Sequence, residues 1–185
     1  MKNVLFVISG PSGVGKGTIA KKIVERNDNV KLSVSCTTRA PRRGEVDGKD
    51  YFFITKEAFE NKIAANGFLE YSNHFDNYYG TPKDFVNEKL KTNDVLLEID
   101  VNGGLAVKKN FNEAVLIMIL PPSLAEVKRR LEKRHTESEE LILRRMDRIS
   151  YEISKKDLYD YTVVNDDLER AVEEVEKILK NEKNG

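Results

Sequence analysis

An α/β fold, with a central, mainly parallel sheet flanked by helices, follows from three features of the chain. Near-continuous apolar runs at residues 4–8, 95–99 and 115–120 are what strands covered on both faces require. Longer stretches of helical period separate them. A strand, a helix and a further strand in succession, as at residues 4–8, 16–25 and 32–35, build a parallel sheet.

The elements can be justified in order. Residues 4–8 predict the first strand, and residues 16–25 a helix packed through Ile19, Ala20, Ile23 and Val24. Residues 32–35 predict a second short strand. The polar stretch 35–50, rich in Arg and Gly, departs from this alternation; a strand at 51–54 and a helix at 56–65 follow it. Thr81 before Pro82 predicts a helix start, with Thr81 as cap, Pro82 at the first helical position and Phe85, Val86 and Leu90 on the packing face. That helix should end near Thr92 and Asn93. Ser123 with Glu126 forms one capping box, ahead of Val127, Arg130 and Leu131. Thr136 with Glu139 offers a second, ahead of Leu141, Ile142, Met146, Ile149 and Ile153. Tyr161–Val164 reads as the last strand. Asp167 caps a final helix with Leu168, Ala171, Val172, Val175, Ile178 and Leu179 inward, and residues 181–185 are expected to fray.

Composition narrows the function. Thirty-one basic residues balance thirty-one acidic ones, which argues against a protein that grips a nucleic acid backbone over a long footprint. No apolar run approaches a membrane span, and the run at 4–8 is too short for a secretory signal. A cytoplasmic protein with neither membrane nor nucleic acid partners is expected. Cys36 is the only cysteine, and His74 and His135 lack any zinc-ligand spacing.

Chemistry begins at Gly10, which opens the run Gly10, Pro11, Ser12, Gly13, Val14, Gly15, Lys16 between a strand and a helix. In that context the loop amides and first helical turn converge on an anion, and the lysine reaches the outer phosphates. Gly10, Ser12, Gly13, Val14, Gly15, Lys16, Gly17 and Thr18 are therefore candidate residues for binding the phosphates of a nucleotide. The usual hydroxyl residue directly after the lysine is Gly17 here, with Thr18 one position later. Magnesium is thus expected to be held through water and substrate oxygens, without direct protein ligands.

A second anion site is indicated by Arg39 and Arg42, whose guanidinium forks suit a phosphate; solvated surface arginines are the plainer alternative. Asp100 follows a buried strand, at the sheet edge where ligands bind; it also suits a cap before Asn102 and Gly103. Glu70 follows Phe68 and Leu69 and, judged alone, reads as a surface glutamate.

Together these residues carry a resemblance. The phosphate loop is followed by Ser35, Cys36, Thr37, Thr38, Arg39, Ala40, Pro41, Arg42, then Gly44, Glu45, Gly48, Asp50, Tyr51 and Phe52. Gly67 to Glu70 and Asn77 to Thr81 continue the order. The chain resembles guanylate kinases over almost its whole length, which implies the P-loop NTPase fold with an inserted GMP-binding lobe and a helical lid. One domain is expected over residues 1–185, with a core of 1–33, 81–126 and 156–185, a lobe of 34–80 and a lid of 127–155.

The resemblance implies transfer of the γ-phosphoryl group of ATP to GMP. It places Arg39, Arg42, Tyr51 and Tyr79 on the GMP phosphate, with Glu45 organising that site. Ser35, Glu70, Thr81 and Asp100 would read guanine, and Asn165 would lie near adenine. In the lid, Arg134 and Arg145 occupy phosphate-binding positions, while Glu132, Lys133 and His135 depart from the common pattern and Arg130 is a substitute contact. Lys16, Arg39, Arg42, Arg134 and Arg145 are the expected catalytic residues, with ATP, magnesium and GMP as the small-molecule partners of a monomer or homodimer. A phosphate monoester is largely dianionic at neutral pH, so no general base is required. The alternatives are a kinase for another nucleoside monophosphate and a non-catalytic phosphopeptide-binding module of the same likeness.

Overall fold

The computed structural model of the chain describes residues 2–74, 76–133 and 139–184. From the N-terminus run β1 (Leu5–Ser9), α1 (Lys16–Arg26) and β2 (Val30–Leu32). The chain then passes through β3 (Cys36–Thr37), β4 (Phe52–Phe53), α2 (Lys56–Ala64), β5 (Phe68–His74) and β6 (Asn77–Pro82) before α3 (Lys83–Leu90) returns it. β7 (Asp94–Glu98), α4 (Val101–Asn110), β8 (Val115–Leu120), α5 (Leu124–Lys133), α6 (Glu139–Ile153), β9 (Tyr161–Val164) and α7 (Leu168–Asn184) follow.

The main sheet has the order β2-β7-β1-β8-β9, and every pairing in it is parallel. β1 lies at its centre, and alternation along this strand divides the core. Phe6 and Ile8 join Ile19 and Ile23 of α1 and Val172 and Val175 of α7. Leu5 and Val7 face the other way, toward Val86 of α3 and Val101 and Val107 of α4. Burial on both faces explains the uninterrupted apolar runs; each such side chain contributes roughly 1.5–3 kcal/mol.

A second sheet, β4-β3-β6-β5, stands apart, parallel at β3 and β4 and antiparallel elsewhere. It has a small core of its own. Phe59 of α2 stacks on Phe68 at 4.3 Å and on Tyr78 at 5.0 Å between ring centroids. The Thr55 hydroxyl caps α2 by accepting from the Ala58 amide.

Three expectations are corrected. The second strand is Val30–Leu32, earlier than 32–35. An edge strand needs few apolar residues, and Val30 alone is buried here, so apolar density marked the wrong segment. Thr81 does not cap α3: the helix starts at Lys83 with extended Pro82 as its cap. The β5–β6 ladder runs on through Thr81, opposite Glu70, and claims it first. The C-terminal residues 181–184 remain helical, because the Lys183 ammonium donates to the buried Asp94 carboxylate at 2.8 Å. Ser123 and Asp167 do cap α5 and α7, whereas the Thr136 box lies outside the described residues.

Candidate active site

β1 ends at Ser9 and opens into the phosphate loop. Gly10 has φ of 151°, and a Cβ there would collide with the Ile119 carbonyl oxygen of the neighbouring strand. Gly15, at φ of 100°, is the N-cap of α1 but has no side chain with which to cap it. No acidic residue occupies the first turn. The first amides of α1 and its positive end are therefore left for an anion. Asn165 braces the loop from behind, its amide donating to the Val14 carbonyl at 2.8 Å.

The Lys16 ammonium lies within the loop, donating to the Gly10 and Pro11 carbonyls at 2.9 and 3.2 Å. Burial lowers its pKa, while the charges of Glu98, Glu152 and Asp100 oppose that shift. A cleft of about 260 Å³ opens from the loop, lined by Pro11, Ser12, Gly13 and Val14, by Pro121, Pro122 and Val127, and by Asn165. Helix α6 contributes Arg145, Arg148, Ile149 and Glu152. Gly17 and Thr18 are exposed on the first turn of α1. Arg134 and His135 lie outside the described residues, as do the side chains of residues 130–133.

A second cleft, of about 160 Å³, gathers Ser35, Tyr51, Glu70, Tyr79 and Asp100, with Ser72, His74 and Glu98 beside them. Strand register positions its centre. Glu70 on β5 lies opposite Thr81 on β6, whose hydroxyl donates to the Glu70 carboxylate at 2.6 Å. Asp100 caps α4 by accepting from the Gly103 amide at 2.7 Å, and its other oxygen lies 4.0 Å from His74 Nε2. Capping and cleft-lining positions thus coincide in this one residue. A Cβ on Gly103 would come within 3.2 Å of Asp100 Oδ1 and 3.3 Å of Glu70 Oε2, so glycine lets the two carboxylates approach. Burial raises the Glu70 pKa; the Thr81 hydrogen bond resists this, and the Asp100 charge adds to it.

The arginines sit toward the solvent side. Arg39 pairs with Glu45 at 2.8 Å, and the second Glu45 oxygen accepts from the Arg42 backbone amide at 2.7 Å. Arg39 above all, then the Arg42 amide, hold the Glu45 carboxyl below its usual pKa. The Arg39 guanidinium lies 5.6 Å from the Tyr51 ring centre, and Tyr51 meets Tyr79 edge-on at 6.0 Å. Arg39, Glu45, Tyr51 and Tyr79 are therefore one group. Arg42 joins it through its backbone and is itself exposed.

Glu98, Ser72, His74, Arg148 and Glu152 were not singled out as site residues from the sequence, yet each lines one of the clefts. Ser72 and His74 follow Glu70 at strand spacing, and Arg148 follows Arg145 by one helical turn. Those periods were the available signal. Cys36 is buried, which pushes its thiol up to about 11 and leaves it no nucleophilic character. Among the described residues, no group of three or more His, Cys, Asp or Glu is arranged to hold a metal. No described helix is long and apolar enough to cross a membrane.

The chain as a whole is similar to known proteins. The guanylate kinase family model matches residues 2–182. A guanylate kinase of Caldanaerobacter subterraneus subsp. tengcongensis is 51% identical over 183 residues, covering 98% of this chain and 89% of that protein. One from Oceanobacillus iheyensis is 52% identical over 182 residues, covering 98% and 88%. The crystal structure of guanylate kinase from Anaplasma phagocytophilum superimposes with a TM-score of 0.76 at 33% identity, covering 98% of this chain and 86% of that one. A shikimate kinase from Bacteroides thetaiotaomicron, at a TM-score of 0.53 and 14% identity, shares the fold alone. The phosphate loop, the guanidinium and tyrosine group and the paired carboxylates thus occur in a chain matched across nearly its whole length, and the chain belongs to the guanylate kinase family.

Proposed function

We infer that this enzyme transfers the γ-phosphoryl group of ATP to GMP by an in-line displacement that relies on charge neutralisation and positioning, with no general base. The activity is ATP-dependent phosphorylation of GMP, giving ADP and GDP. In the transfer, a GMP phosphate oxygen forms a bond to the γ-phosphorus as the bond to the β–γ bridging oxygen breaks, and ADP leaves with that electron pair. No proton need move, because the attacking phosphate is already mostly dianionic.

The observation that carries this reading is the half-buried Glu70 carboxylate held by Thr81 in a cleft with Ser35 and Asp100. Guanine presents a ring N–H beside an exocyclic amine, two donors that one carboxylate accepts together. Adenine has an unprotonated nitrogen at the corresponding edge and would leave that carboxylate short of a partner. Arg39, Arg42, Tyr51 and Tyr79 take the GMP phosphate, with Glu45 fixing Arg39 and the Arg42 backbone. The loop from Gly10 to Thr18 takes the ATP phosphates, and Lys16 moves from its two carbonyl partners to the outer phosphate oxygens. Asn165 acts on ATP indirectly, through the loop it braces.

Arg145, with Arg134, offsets charge on the phosphoryl group in transit. Residues 127–155 serve as the lid and residues 34–80 as the GMP lobe, closing to exclude water. The surroundings suit magnesium. The Glu98 carboxylate lies 3.8 Å from where a Gly17 Cβ would stand, and its charge and that of Asp100 both reach Lys16. These two carboxylates would hold the ion through its waters. When bound, magnesium offsets phosphate charge.

The test is an ADP-coupled assay with ATP and magnesium, comparing GMP with AMP, UMP and dTMP, in the wild type and Lys16→Met. GMP should be preferred by at least about 100-fold, and Lys16→Met should lose roughly 1,000-fold in kcat at saturating GMP. Equal rates with another monophosphate would refute the guanine assignment. A fully active Lys16→Met would refute the assignment of the loop lysine.

A further inference from the structure

We propose that Arg148 is a further catalytic arginine of this enzyme, contacting the β- and γ-phosphate oxygens of ATP, and that Glu152 is the residue that positions it. This rests on the phosphoryl-transfer reading above. Helix α6 carries three arginines with different surroundings. Arg144 is on the solvent side, 75% exposed and paired with Glu140 one turn away. Arg145 and Arg148, spaced at i and i+3, line the cleft opened by the phosphate loop. The charge of Arg148 reaches the ammonium of Lys16, where it acts against the charged form.

The positioning argument begins with Glu152. Its side chain is 7% exposed, whereas that of Arg148 is 63% exposed. One carboxylate oxygen accepts from Arg148 Nε at 3.3 Å. The other is buried and has no hydrogen-bond partner among the described residues. A carboxylate is costly to bury with an oxygen unmet, and the neighbouring guanidinium has donors to supply. Arginine binds carboxylates side-on through two parallel N–H groups. The observed contact is one leg of that fork, and the free oxygen would accept the other.

Completing the fork turns the guanidinium plane and leaves its remaining Nη donors to the phosphates. The site has need of another cation. Glu98, Asp100 and Glu152 all surround Lys16, and two anionic nucleotides must still be brought together there.

The experiment compares Arg148→Ala, Arg148→Lys, Glu152→Gln, the double variant Arg148→Ala/Glu152→Gln and the exposed control Arg144→Ala. It measures steady-state kinetics with ATP and GMP, ATP binding by calorimetry without GMP, and the thermal midpoint. Arg148→Ala should lose about 30-fold in kcat with KM for GMP within about twofold, and bind ATP about 10-fold more weakly. Arg148→Lys should recover only part of the loss, because a lysine cannot form the fork. Glu152→Gln should lose about 5-fold in kcat, and the double variant should be no worse than Arg148→Ala alone, since Glu152 acts through Arg148. Arg144→Ala should stay within about twofold of wild type.

Folded Arg148→Ala with unchanged kcat and unchanged ATP affinity overturns the proposal. Losses that multiply in the double variant overturn the role given to Glu152. A wild type that forms no GDP would undo the parent reading instead, and the ATP titration would still decide whether Arg148 touches ATP.

Discussion

The two nucleotide sites are built from different materials. The cleft assigned to ATP is floored by main chain, with a glycine at each end of the loop, uncapped amides at the start of α1 and one lysine held by loop carbonyls, and only its α6 wall brings arginines. The cleft assigned to GMP is walled by paired side chains, Arg39 on Glu45, Tyr51 on Tyr79 and Thr81 on Glu70, beside a small sheet with its own aromatic core. A backbone cradle recognises phosphate and little else, since every residue offers the same amide. Side chains can read a base. Selectivity between nucleotides should therefore concentrate in the second site, while the first should respond mainly to changes in backbone geometry or the loss of Lys16 or an α6 arginine.

The strongest way to break the backbone site is Gly10→Ala. The added methyl meets the Ile119 carbonyl, and φ of 151° is strained for any residue with a Cβ. Because the obstacle is backbone of a central strand, the loop must move. Activity should fall by at least about 100-fold, with ATP binding lost in proportion and KM for GMP changed least. Calorimetric titration with each nucleotide separately checks the asymmetry. Equal damage to both would show that the two sites are not built independently.

Glu70→Gln probes the side-chain site with a smaller change. The amide keeps one acceptor, so kcat/KM for GMP should fall by roughly 30–100-fold while KM for ATP stays within about twofold. Acidity makes the same point without a mutation. Burial has raised the Glu70 pKa, so its proton is taken up at a higher pH than by an ordinary carboxyl group. The protonated form cannot accept both guanine donors. KM for GMP should accordingly rise on acidification, at a higher pH than a solvated glutamate would permit, and Glu70→Gln should flatten the rise. A parallel rise in wild type and Glu70→Gln would assign the pH effect to another group.

The same contrast explains what was legible in the sequence. The phosphate loop could be read directly because contiguous residues build it, between a strand and a helix whose patterns were plain. Both faces of β1, β7 and β8 are covered, and unbroken apolar runs announce that. The second cleft is assembled across the chain, from Ser35 to Asp100, and nothing local marks Glu70 as part of it. The pattern shared with guanylate kinases gathered those residues. Thr81 was misread as a helix cap because Thr-Pro is a sound local start signal; a long-range ladder to β5 overrode it. Arg148 and Glu152 were passed over because on a charged helix they look like an ordinary i, i+4 surface pair.

The smallest expected effect concerns neither site, and for that reason it sharpens the comparison. Asp94 is buried at the amino end of β7, opposite the sheet edge that carries Asp100 and both clefts. It accepts from the Val4 amide at 2.9 Å, from Asn29 at 3.0 Å and from Lys183 at 2.8 Å. Lys183→Ala removes one donor and the only one with a charge, leaving two to hold the carboxylate. The cost should be about 1–2 kcal/mol, seen as a fall in thermal midpoint of roughly 2–8 °C for a chain of this size. KM for ATP and for GMP should both be unchanged below the transition. A selective change in either would mean that the far edge of the sheet is coupled to that site, and that the sheet is more than a passive frame for two sites of different construction.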